Sequence, residues 1–151
     1  MSQAIAAYLH YLAIFALFAL LSLEHILFKL PLDSARARSL LRIDIAYGLC
    51  AGVVLLTGLA RVIWYGKGWS YYLHNSVFHA KVGLFVLVGM LSIIPTLTFF
   101  EWRNALKAGL EPHTGEGRAR LTVLVIRVEL ALLLVIPLLA TLMARGFGMP
   151  G

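Results

Sequence analysis

Four apolar runs, each close to the length of a membrane-crossing helix, limit what this chain can fold into more than any other feature. They lie at about Ala4–Phe28, Ile43–Tyr65, Phe78–Phe100 and Leu121–Ala144, and a helix needs roughly 20 apolar residues to cross the hydrocarbon of a bilayer. Val82–Phe100 holds no charged side chain at all. Of 151 residues, 61% are hydrophobic and 13% charged, too few polar groups to coat a water-soluble globule. The spacing therefore predicts an all-α integral membrane protein. It is one four-transmembrane-helix bundle covering residues 1–151, with the lipid bilayer as its solvent.

The formal charge of +6 does not point to nucleic acid, because the basic residues sit in short clusters between the apolar runs. Lys29, Arg36, Arg38 and Arg42 crowd the first connection, and Arg103, Lys107, Arg118 and Arg120 the third. The second has only Lys67, with Arg61 and Lys81 at its borders. The excess of Lys and Arg in cytoplasmic loops then places both termini outside. The first run has no basic segment before it and is too long for the core of a signal peptide, so it reads as a retained helix. Trp64, Tyr65, Trp69, Tyr71 and Tyr72 fill the second connection as an aromatic belt would. The third connection, with Gly109, Pro112, Gly115 and Gly117, reads as the most flexible segment. Gly48 and Gly52 form a small-xxx-small pair for close helix contact, and Pro95 and Pro137 should bend their helices. Cys50, the only cysteine, reads as a packing residue.

Ionisable residues inside spans are functional candidates, because each is costly in hydrocarbon. With both termini outside, His10 lies roughly 9 Å below the start of the first span. His79 falls in the first turns of the third span, and Arg61 within about one turn of the same surface. Lys67, Lys81, Tyr71, Tyr72 and His74 would form a cationic, aromatic rim above them. At helical spacing His10, Leu17, Leu21 and Glu24 share a stripe, as do His79, Gly83, Val86, Met90, Leu97 and Glu101. Both stripes are expected to face the bundle interior. Two facing histidines, with Gly83 one turn below His79, meet the needs of a bis-histidine haem: two axial nitrogens, room for the macrocycle, and cations for the propionates. The alternative is that each histidine caps a helix or bonds a neighbour. One cysteine, no close histidine pair on one helix and no carboxylate at this depth argue against zinc or copper.

A second group lies toward the cytoplasmic end: Glu24, His25, Asp44, Glu101, Arg127 and Glu129. Arg127, roughly two turns into the last span, would be expensive without a carboxylate. An ion-paired knot around Arg127 is the plain expectation. A proton route with Glu24 or Glu101 as carrier is the sharper one.

Phe78-His79-Ala80-Lys81-Val82 resembles the W-L-H-A-K-L motif of HemJ-type protoporphyrinogen oxidases, four-helix bacterial membrane proteins that bind haem b. The resemblance implies functional histidines at His10 and His79. Arg127-Val128-Glu129, followed by Leu130–Thr141, looks like that family's final helix, whose R-x-N-E-x-P pattern here lacks its Asn and Pro. Asp44–Gly58, Arg61–Tyr72 and Ser92–Trp102 resemble an uncharacterised family of small four-span bacterial membrane proteins. These likenesses imply a multi-pass protein of the bacterial inner (plasma) membrane. They imply haem b in an electron-transfer or oxidoreductase role, acting on a tetrapyrrole or linked to a quinone. His10 and His79 would ligate iron, while Arg61, Lys67 and Lys81 hold propionates. The competing expectation is a non-enzymatic membrane module or small transporter subunit that binds an anionic ligand, a homodimer supplying any inverted repeat.

Overall fold

The structure, a computed structural model, describes residues 1–65 and 69–148. Lys67 lies outside the described residues. Four long helices form at the four apolar runs: α1 (Ser2–Leu27), α2 (Ser34–Ala60), α4 (Ser76–Glu101) and α6 (Glu116–Ala144). Two short helices, α3 (Trp69–Leu73) and α5 (Arg103–Lys107), lie in the connections. Each long helix is apolar and long enough to cross a membrane. The 26 residues of α1 extend about 39 Å at 1.5 Å per residue, more than the hydrocarbon thickness.

Helix ends follow local chemistry rather than the edges of the apolar runs. Asp33 caps α2 by accepting a hydrogen bond from the Arg36 amide at 2.7 Å, so α2 begins upstream of Ile43 and carries Arg36, Arg38 and Arg42 on helical turns. At its other end α2 runs directly into a π-helical turn, Arg61–Tyr65. Asn75 caps α4 through the Phe78 amide at 3.1 Å. Such side-chain acceptors satisfy amides that a helix start leaves unpaired.

The helices alternate in direction. α1 packs mainly on α2 and α4 mainly on α6, while α1–α6 and α2–α4 seams close the square; α1 and α4 therefore stand on a diagonal. The core is a thin line of Leu17, Leu21, Leu40, Tyr47, Val88, Ile126 and Leu133. Outward residues such as Phe15, Leu49, Leu56 and Leu134 are large and apolar, the composition a lipid-facing surface requires.

The third connection is anchored at Trp102 and Thr114, on either side of Gly109 and Pro112. Trp102, only 3% exposed, stacks on Phe28 with ring centroids 6.0 Å apart. Its indole N–H donates to Thr114 Oγ1 at 3.0 Å. This aromatic knot, completed by Phe99, fastens the first and third connections together. At the opposite end Asn75 Nδ2 donates to the Phe147 carbonyl, and the Ser76 amide donates to the Gly148 carbonyl. The C-terminal residues thereby strap across the start of α4.

Candidate functional site

The start of α1, the end of α2 and the start of α4 meet at one end of the bundle. There His10 packs against α2: its Nδ1 lies 2.9 Å from Thr57 Oγ1. The Thr57 hydroxyl donates its single proton to the Val53 carbonyl at 2.6 Å. It therefore accepts from His10 Nδ1–H, the Val54 carbonyl also being in reach of the ring, and among the described residues no hydrogen bond is assigned to Nε2. A histidine oriented in this way is prepared to act as a ligand or acceptor. Gly58 gives the ring room, because a Cβ there would stand 3.2 Å from His10 Cε1 and the ring would have to give by a few tenths of an ångström. The glycine that makes room is thus Gly58. Gly83 faces open space, with nothing within 4 Å of where its Cβ would be.

Arg61 and Lys81 lie within electrostatic range of His10, and of each other. The Arg61 guanidinium sits over the Tyr11 ring at 5.2 Å, and the Lys81 ammonium over Phe78 at 5.4 Å. Aromatic faces steady a cation without consuming its hydrogen-bond donors. Among the described residues no carboxylate pairs with either cation.

His79 does not join His10 in the expected way. It is exposed, and its Nε2–H donates to the Leu73 carbonyl at 2.9 Å, capping the short turn of α3. The stripe on which it lies also faces away from the core. Val86, Met90 and Leu97 are each more than half exposed, whereas Val88, Pro95, Thr98 and Phe99 form the buried face of α4. The corresponding stripe of α1 does face inward, with Leu17, Leu21 and Glu24 all buried. As a bis-histidine seat for haem the pair does not fit. His10 has an oriented nitrogen in Nε2; His79 has spent its Nε2 on a backbone carbonyl, on the outer face of a diagonal helix.

The second group separates into three parts. Arg127 is exposed and donates from Nε to His25 Nε2 at 3.0 Å, and Glu101 pairs with Arg118 at 2.9 Å. The expected knot around Arg127 is therefore absent among the described residues, because the long side chain carries its charge outward. What remains inside is acidic. Glu24 of α1, Asp44 of α2 and Glu129 of α6 are 1%, 4% and 0% exposed. Asp44 accepts a hydrogen bond from Thr96 Oγ1 at 2.8 Å. Glu24 Oε1 and both oxygens of Glu129 have no partner. Among the described residues no three His, Cys, Asp or Glu side chains converge as a metal site.

Fold and sites define a small four-span membrane bundle that buries three carboxyls near one end and sets Arg61 and Lys81 beside His10 at the other. The chain belongs to the family described as predicted membrane protein (DUF2214), whose model matches residues 2–148. No curated protein and no solved structure matches it.

Proposed function

We propose that the protein binds an anionic amphiphile at the end of the bundle formed by His10, Arg61 and Lys81. The observation that supports this reading is two cations on different helices, each steadied by an aromatic ring, with no carboxylate to neutralise them. A carboxylate or phosphate at this depth would relieve their repulsion, and a donor group elsewhere on the ligand would find an acceptor in His10 Nε2. The surrounding apolar surface suits a ligand with a hydrocarbon or macrocyclic body. On this reading the protein is a binding module of the membrane, with both basic connections on the cytoplasmic side.

Metal-free protoporphyrin, a dicarboxylate amphiphile, is a direct probe, read by its fluorescence in detergent. Loss of a charged hydrogen bond costs about 1.5–3 kcal/mol, so Arg61→Gln or Lys81→Gln should weaken binding more than tenfold. Equal affinity in both variants would end this proposal. A second reading, haem b in an electron-transfer or oxidoreductase role, is favoured by the oriented Nε2 of His10. It requires iron held from one side by His10, since His79 is engaged elsewhere. A reduced-minus-oxidised spectrum of protein made with ample haem tests it. His10→Ala should lose the signal while His74→Ala and His113→Ala keep it; wild-type protein without haem would dispose of this reading alone.

A further inference from the structure

The buried acid lies far from the proposed ligand and is not used by it. Glu24 of α1, Asp44 of α2 and Glu129 of α6 are all buried, and each lies within electrostatic range of the other two. Tyr47, itself buried, is within range of all three. Glu129 stands eight residues past Leu121, about 12 Å along the helix at 1.5 Å per residue. It is fully buried with neither oxygen partnered.

Countercharge is missing on every side. α1 contributes Glu24, while its neighbour His25 turns out to Arg127. α2 contributes Asp44 and Tyr47, α4 only the Thr96 hydroxyl, and α6 Glu129. Of the other cations on α6, Arg118 is occupied by Glu101 and Thr98, and Arg120 pairs with the exposed Glu116. No Lys, Arg or His among the described residues lends its charge to any of the three carboxyls.

Three carboxylates cannot all remain ionised in such a place. Each loses its hydration on burial, and the ionised forms repel one another in a medium of low polarity. Their charge must be met by something that enters from outside. Because no three of these side chains converge as a metal site, the smallest cation fits best.

We propose that Glu24, Asp44 and Glu129 form an intramembrane proton-binding site, which carries protons at neutral pH and exchanges them with the side of the membrane bordered by the first and third connections. The site does not depend on the anion-binding reading. A protonated carboxyl is neutral, so a bound proton removes the charge that burial and the neighbouring carboxyls penalise.

The test is infrared difference spectroscopy of the purified full chain in detergent, titrated from acidic to alkaline pH. The wild type should show a carbonyl band of protonated carboxyl at neutral pH, lost on alkalinisation. Glu129→Gln and Glu24→Gln, which keep shape while removing a titrating group, should each lose part of that band with helical content retained by circular dichroism. A wild-type spectrum with only ionised carboxylates at neutral pH would overturn the proposal without requiring any variant. So would removal of the band at constant pH by sodium or calcium chloride, which would identify a metal-cation site instead. Failure of protoporphyrin to bind would leave these results unchanged and would count only against the ligand reading.

Discussion

Replacing Glu129 by leucine should stabilise the protein. Leucine matches glutamate closely in reach, is unbranched at Cβ and has comparable helix propensity. Its methyl groups would enter a position lined on the same helix face by Ile126 and Leu133, both buried. Glu129 is 0% exposed and neither oxygen has a partner; an unsatisfied buried polar group costs about 1–3 kcal/mol. The substitution also removes a group whose ionised form would repel Asp44. The expected gain is therefore about 1–3 kcal/mol, read as a shift of the SDS-induced unfolding midpoint in mixed micelles by circular dichroism. The opposite arrangement, a carboxylate held by a buried cation, predicts the opposite sign: breaking such a pair costs about 3–5 kcal/mol. A loss of that size in Glu129→Leu would refute the assignment of an unpaired acid cluster.

Arg127→Ala should leave the unfolding midpoint and helical content nearly unchanged, because Arg127 is exposed and bonded only to His25 at 3.0 Å; a large loss of folded protein would restore the buried knot. Gly148→Ala should release the C-terminal strap, read as faster proteolysis of the last residues. Gly148 has φ +89°, and a Cβ there would meet Val77 Cγ2 at 2.5 Å; unchanged proteolysis would show that the strap carries no stability.

The four spans were legible because length and hydropathy suffice to define them, and burial of backbone polar groups in lipid then demands helix. The faces were legible only in part. On α1 the polar residues repeat along one side with Leu17 and Leu21 between them, and that side is buried. α4 is apolar all round, so its stripe rested on His79 and Glu101, one at each end. Ends lie near water, where a polar group can bond a loop carbonyl or an exposed arginine at little cost. Both did so, and the stripe between them faces outward. Arg127 misled for a related reason, since position along a helix does not say where a long flexible side chain ends. The seat of His10 left a faint signal in the adjacent Thr57-Gly58, a hydroxyl beside the one residue type with no Cβ. Nothing in the spacing ties these residues to a histidine on another helix.

The cationic and acidic ends of the bundle should communicate only weakly. Fourteen residues separate His10 from Glu24 along α1, about 21 Å at 1.5 Å per residue. Ala13, Leu17 and Leu21 are buried between them. Across that distance one charge contributes about 0.8 kcal/mol at an effective dielectric constant near 20, a factor of about four in affinity. The sign is fixed: a proton added to the acid cluster makes it less negative, raises the potential at Arg61 and Lys81, and tightens binding of an anion. Protoporphyrin affinity should therefore rise about fourfold or less for each proton loaded, provided the ligand's own carboxylates stay ionised over the range compared. Glu129→Gln should flatten that part of the pH profile without abolishing binding. A change of a hundredfold would exceed what charge can transmit through a fixed bundle, and would mean that protonation moves α1 or α2 and unseats His10 from Thr57. Cross-linking of His10→Cys to Thr57→Cys, in a Cys50→Ala background, distinguishes the cases. Pairing that is equally efficient at neutral and alkaline pH, after correction for thiolate content, is the outcome expected of a rigid bundle; pairing present at alkaline pH and lost at neutral pH would refute it.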